Sequence, residues 1–209
     1  FLKRFKDKGC RVLGVDPAQN IAKVANEKGV STLPEFFGSS VTGSIIKERG
    51  QADCIYARNV IPHVENVHDV ISSMVKCLRA KGTGAIEFHY ARVILEELHY
   101  DSIYHEHLCY FSLRSILFLL QTHGLKIFDL IESPISGGNV VLYFSAEDRG
   151  SSDALKLKLA QEDDSGMNSL EAWLKFAESC RTHKEELLQL VRKEMDAGSR
   201  MVGIIFGRL

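Results

Sequence analysis

The sequence predicts an α/β protein: a doubly wound, mostly parallel sheet with an antiparallel hairpin at its edge, followed by a long C-terminal helix. Three observations carry this expectation. Short apolar runs alternate with segments of helical periodicity over residues 1–145, the pattern of strand and helix units that feed a parallel sheet. Two late apolar runs are separated by little more than the Ser136, Gly137, Gly138, Asn139 turn, short enough for a hairpin and too short for a crossover. Further on, Leu170, Trp173, Ala177, Cys180, Leu187, Val191 and Met195 recur at three-, four- and seven-residue steps, describing one amphipathic helix stopped near Gly198.

The elements follow in order. Residues 1–8 alternate apolar and basic side chains like the last turn of a helix, and Gly9 stops it. Residues 10–15 (CRVLGV) form a strand that ends in Asp16 and Pro17, and residues 20–28 carry helical spacing up to Gly29. Residues 52–57 (ADCIYA) read as a buried strand, 67–78 as an amphipathic helix and 84–90 as the next strand. An apolar helix over 113–122 precedes the hairpin strands at 126–132 and 140–144. The polar stretch 147–168, with its Gly, Ser and Asp clusters, reads as a linker. The expected division is therefore a domain over 1–146, the linker, and the start of a second domain over 169–209 whose long helix leads into a strand at 201–206.

Composition narrows the function. Twenty-six Lys and Arg against 27 Asp and Glu leave a formal charge of −1, so no global field favours nucleic acid or an anionic membrane. No stretch approaches the ~18 apolar residues of a membrane span, and the charged N-terminus does not resemble a signal peptide. The five cysteines are scattered and never spaced as Cys-x-x-Cys, which argues against a disulfide framework or a thiolate zinc site and fits a reducing cytoplasm.

Chemistry concentrates at strand ends. Gly14, Val15, Asp16 and Pro17 place a carboxylate where doubly wound folds meet a ribose, although Asp before Pro also begins ordinary turns. Ala57, Arg58 and Asn59, followed by His63, reach the same rim after the next strand, where His63 could equally be an ordinary loop histidine. The most unusual segment is DSIYHEHLCYFS over 101–112, with Asp101, Tyr104, His105, Glu106 and His107 crowded together. In an extended chain Tyr104 and Glu106 would share one face and His105 and His107 the other. Histidine, with an ordinary pKa of about 6.5, suits proton transfer near neutrality. Two rival readings are an exposed polar loop and a metal site built from His105 and His107 with His89, His99 or Cys109. The second lacks a His-Glu-x-x-His spacing or a fixed third ligand.

Taken together, GVDP, QADCIYARNVIPHV, DSIYHEHLCYFSLRSI and SPISGGNVVLYF resemble the sugar C-methyltransferases of deoxysugar biosynthesis, most specifically through YHEHLCYFS. The resemblance implies a Rossmann-like methyltransferase domain that binds S-adenosylmethionine, and a nucleotide-linked keto-deoxysugar as substrate. It implies that Asp16 binds the cofactor ribose, with Gly14, Ala57 and Asn59 lining that site. His63, Tyr104, Glu106 and His107 would surround the sugar, with His107 as the base, Tyr104 and His63 as donors to the oxyanion, and His105, Gly137 and Gly138 on the substrate side. No metal is required for that step. The family also carries a first strand with a Gly-rich loop, often a zinc-binding segment before it, and a further lobe after residue 209, so the chain reads as truncated at both ends. The absent strand would fall between those at 10–15 and 52–57, which would then either pair directly or stand apart. Where relatives often have His before the glycines and Arg soon after, this chain has Ser136 and Val141. A nicotinamide-dependent oxidoreductase would also place an acidic residue after a strand, but gives no reason for YHEHL. A non-catalytic, partner-binding fragment is the third reading.

Overall fold

The computed structural model describes residues 1–202. A short helix α1 (Leu2–Lys6) precedes β1 (Gly14–Val15), α2 (Gln19–Glu27), β2 (Thr32–Leu33) and α3 (Ser39–Arg49). Then come β3 (Ala52–Arg58), α4 (Val67–Cys77), β4 (Leu78–His89) and α5 (Ala91–Glu96). The order continues with α6 (Leu113–Thr122), β5 (Lys126–Ser133), β6 (Asn139–Ser145), α7 (Asp153–Ser165) and α8 (Leu170–Asp196).

The strands form two sheets. β1 and β2 make a small parallel pair, and the larger sheet runs β3-β4-β6-β5. Within it β3 and β4 are parallel, while β6 is antiparallel to both β4 and β5. The fold is thus α/β with parallel pairs and the expected edge hairpin, whose second strand lies inside and whose first lies at the rim. β1 and β3 belong to different sheets, so of the two expected arrangements the strands stand apart.

Both faces of β4 and β6 are buried, and alternation along the strands decides which residues enter which face. Ile86, Phe88, Val140, Leu142 and Phe144 share a core with Ile71 and Met74 of α4, Ile116 and Leu120 of α6, and Leu155 of α7. α4 packs on β4, and α6 and α7 pack on β5. The intervening β4 residues Glu87 and His89 point to the other face, and both sit at the strand's carboxyl end.

Two expectations about the C-terminal region need correction. The polar stretch taken for a linker contains α7, a 13-residue helix capped by Ser152, whose side chain accepts from the Leu155 N–H. It folds because Leu155 and the aliphatic part of Glu162 are buried against the sheet domain, a tertiary effect that local composition does not reveal. In α8 the predicted apolar stripe exists, but Phe176 is the buried member; Leu170, Leu187 and Met195 are exposed. The strand expected over 201–206 falls mostly outside the described residues, and Met201 and Val202 are irregular.

Candidate active site

β3 ends at Arg58, and the chain then turns sharply because Asn59 adopts φ 49°, a left-handed conformation that Asn tolerates better than most residues. The turn is fastened to the neighbouring strand: the Asn59 N–H donates to the Glu87 carbonyl. A single 3₁₀ turn, Ile61–His63, follows, with Ile61 and Pro62 buried and His63 left on the outside. The Pro62 carbonyl accepts from the N–H groups of both Leu108 and Cys109 at 2.8 and 3.1 Å. This clamp brings the YHEHL segment to the end of β3.

The segment is not extended. The His107 N–H donates to the Tyr104 carbonyl at 3.0 Å, closing a turn over residues 104–107. Tyr104 therefore faces His107, with ring centroids 4.3 Å apart, rather than sharing a face with Glu106. The backbone hydrogen bond overrides the alternation expected of an extended chain.

Within that turn the two histidines meet, their ring centroids 4.7 Å apart. His107 Nδ1 lies 2.8 Å from the Ser102 carbonyl oxygen, and His63 Nδ1 lies 2.8 Å from the Glu106 carbonyl oxygen. A carbonyl can only accept, so each Nδ1 carries the hydrogen and each neutral ring keeps its lone pair on Nε2. His107 Nε2 stands 3.3 Å from the Tyr104 hydroxyl. The arrangement offers one oriented base beside a phenol, with a second imidazole alongside. Glu106 contributes its backbone oxygen, and its carboxylate is exposed; His105 is also exposed, 6.2 Å from Tyr104 between ring centroids.

Behind this pair lies a network that the sequence did not single out. Glu87, buried in β4, accepts from the Tyr56 hydroxyl, from Arg58 and from Asn139 Nδ2. Asn139 Nδ2 also donates to Asn59 Oδ1 at 3.1 Å, while Asn139 Oδ1 is buried without a partner. Burial first, and the hydrogen bond to Glu87 second, push the Tyr56 hydroxyl well above the usual phenol range. The available signal was Glu87 itself, a carboxylate inside the apolar run of residues 84–90.

The remaining expected residues separate into those near the histidines and those elsewhere. Gly137 (φ 77°) and Gly138 (φ 144°) form the hairpin turn; a Cβ on Gly137 would come within 3.0 Å of the His99 ring, and one on Gly138 within 2.7 Å of Val93. Asp16 is partly buried at the end of β1, where Oδ1 accepts from the Ala18 N–H and starts α2. Gly14 has a packing reason for lacking a side chain, since a Cβ there would meet Thr32 Oγ1 at 2.7 Å. The Ala57 methyl is buried in the core rather than presented to a ligand. As to the rival metal site, no group of three or more His, Cys, Asp or Glu is arranged to hold an ion among the described residues. Nor, among them, is any helix long and apolar enough to cross a membrane.

Comparison with known proteins bears on this geometry. Residues 134–205 match the family described as C-methyltransferase C-terminal domain. The chain is 32% identical over 204 residues to the C-methyltransferase NovU of Streptomyces niveus, covering 97% of this chain and 49% of that protein. It thus spans about half the length of this curated relative. Among solved structures, a TehB-like SAM-dependent methyltransferase from Corynebacterium glutamicum superposes with TM-score 0.50 at 17% identity, over 69% of this chain and 72% of the other. A Haloferax volcanii complex of the Trm112 methyltransferase activator with a methyltransferase gives TM-score 0.52 at 12% identity, over 69% and 76%. These structural likenesses concern the fold. Residues 1–130 match the family described as Methyltransferase domain, and the chain belongs to that family.

Proposed function

We propose that the complete protein carrying this chain transfers a methyl group from S-adenosylmethionine to a carbon atom of a nucleotide-linked keto-deoxysugar, through an enolate formed by His107. The observation that carries this reading is the fixed tautomer of His107, whose Nδ1 is tied to the Ser102 carbonyl so that Nε2 can accept a proton. Methyl transfer to carbon requires such a base, because a carbon beside a carbonyl becomes nucleophilic only when its proton is removed. The sugar class rests on the resemblance of the motifs, and C-methylation is also in the name of the NovU relative.

When bound, the cofactor supplies an electrophilic sulfonium methyl group. The residues present fit part of it. Asp16 spends Oδ1 on the α2 turn, and Oδ2 remains for ribose hydroxyls. Asn59 Oδ1 accepts from Asn139, which leaves its amide Nδ2 to contribute at the rim. On the substrate side, Tyr104 and His63 would donate to a developing oxyanion. Tyr104 can do so once His107 Nε2 has taken the substrate proton and no longer accepts from the phenol; His63 can do so once protonated at Nε2. His105, exposed, is available to a phosphate or a sugar hydroxyl, and the exposed Glu106 carboxylate to a sugar hydroxyl.

Exchange of the substrate's α-proton with deuterated water, followed without the cofactor, isolates the base step. His107→Asn should slow that exchange by about 10² to 10⁴ while leaving cofactor affinity unchanged. Exchange at the wild-type rate in that variant would transfer the base role away from His107.

A further inference from the structure

His89 and His99 lie outside the base and donor roles assigned above, yet they are built into the same end of the sheet. His89 closes β4 directly opposite Asn139, and His99 follows α5. Their rings are 5.4 Å apart between centroids, with His99 Nδ1 3.3 Å from His89 Nε2. On its far side His99 Nε2 stands 3.3 Å from the Glu97 carboxylate, which is exposed. Leu98, between Glu97 and His99, is held at φ 59°, a left-handed conformation unfavourable for Leu. That unusual backbone accompanies the meeting of side chains two positions apart. The hairpin glycine Gly137 leaves room for the His99 ring.

Hydrogen-bond polarity gives the row a direction. Glu97 can only accept, so His99 Nε2 donates to it and His99 Nδ1 holds a lone pair. His89 Nε2–H then donates to that lone pair, and His89 Nδ1 is the acceptor at the inner end. A proton arriving at His89 Nδ1 lets the Nε2 proton pass to His99, and the His99 Nε2 proton pass to Glu97 and so to solvent. Atoms and charge balance at each hop, and the row then returns to its starting tautomers by ring rotation or exchange with water.

We propose that His89, His99 and Glu97 form a proton relay that carries the substrate's α-proton from His107 to solvent after each turnover. This rests on the assignment of His107 as the base. The step from His107 to His89 would pass through a bridging water. The titratable groups whose charge acts on His89 are His99, His107, Asp101 and Glu97, of which His99 is in contact. Burial, with the two neighbouring histidines adding to it, keeps His89 below the usual histidine range, so it is neutral and able to accept near neutrality.

The test uses the complete enzyme in weakly buffering solution. His99→Gln retains a hydrogen-bonding group but cannot shuttle a proton, and Glu97→Gln alters only the exposed terminus. In His99→Gln the first turnover should proceed at the wild-type rate, while the steady-state rate falls about 10-fold and is restored by added imidazole. Glu97→Gln should show the same split to a smaller degree. Unchanged steady-state rates in both variants would overturn the relay. So would a loss in the first turnover equal to the steady-state loss, which marks a structural role. If His107→Asn keeps its first-turnover rate, the base assignment itself fails, an outcome distinct from either.

Discussion

A buried carboxylate sets the character of the site at the level of single residues. Glu87 is 2% exposed and gathers the Tyr56 hydroxyl, the Arg58 guanidinium and the Asn139 amide. A buried charge is tolerated only with such a set of donors, so these four side chains stand or fall as a unit. Tyr56 is pushed up by burial and by Glu87; Tyr90 is pushed up by burial and by Glu162. Below about pH 10 both phenols are protonated in the folded and unfolded chain alike, and they favour neither state. Above it the unfolded chain ionises first, so stability should fall as pH rises. The Cys54 and Cys77 thiols, also raised by burial, add a slope of the same sign from the ordinary thiol range upward. Urea midpoints compared at about pH 8 and about pH 10.5 should show this loss, and Tyr56→Phe with Tyr90→Phe should flatten it. An unchanged slope in the double variant would contradict it. At this scale the sequence was informative where a residue type was unusual for its setting, as with YHEHL. It was silent where the role came from backbone oxygens, as with Ser102 and the Glu106 carbonyl.

At the scale of elements, α7 does more than its composition suggests. Its Glu162 is fully buried and accepts from the Tyr90 hydroxyl at 2.7 Å, the Leu113 and Arg114 N–H groups at 2.6 and 2.9 Å, and Asn168 at 3.0 Å. One carboxylate from α7 thereby caps the N-terminus of α6, which is where the DSIYHEHLCYFS segment ends. Glu162→Ala would leave a buried phenol and two helix donors without partners, a cost of about 3 to 5 kcal/mol. Chemical denaturation of the variant checks this, and a loss below about 1 kcal/mol would mean that water replaces the carboxylate readily. Helices with apolar periodicity, such as α6 with Leu113, Ile116, Leu119 and Leu120 buried, were legible in advance. α7 was not, because Gly, Ser and Asp cluster at its two ends and the contacts of Glu162 that anchor it to Tyr90, Leu113 and Arg114 are long-range.

For the whole molecule, the α/β layering and the edge hairpin followed from alternating periodicities. β1 and β3 lie in separate sheets, and no local pattern distinguishes that arrangement from direct pairing. One cavity lies between α6, β5 and α7 and another beside α3, and Asp16 lines neither. On the proposed assignment of Asp16 to the cofactor ribose, with its Oδ1 already accepting from the Ala18 N–H, the 209-residue chain by itself should bind S-adenosylmethionine weakly or not at all. Isothermal titration of this chain decides it, and micromolar affinity would show that the cofactor is held by other residues.

The two family matches meet between residues 130 and 134, yet the hydrogen bonds of Glu162 cross that seam to Tyr90, Leu113 and Arg114. The C-terminal match is therefore not an appendage that could be exchanged freely to change substrate. A chimaera joined at the seam inherits its YHEHL loop from one parent and the anchor of the helix that follows it from the other. The two halves have to be inherited together, or matched at position 162.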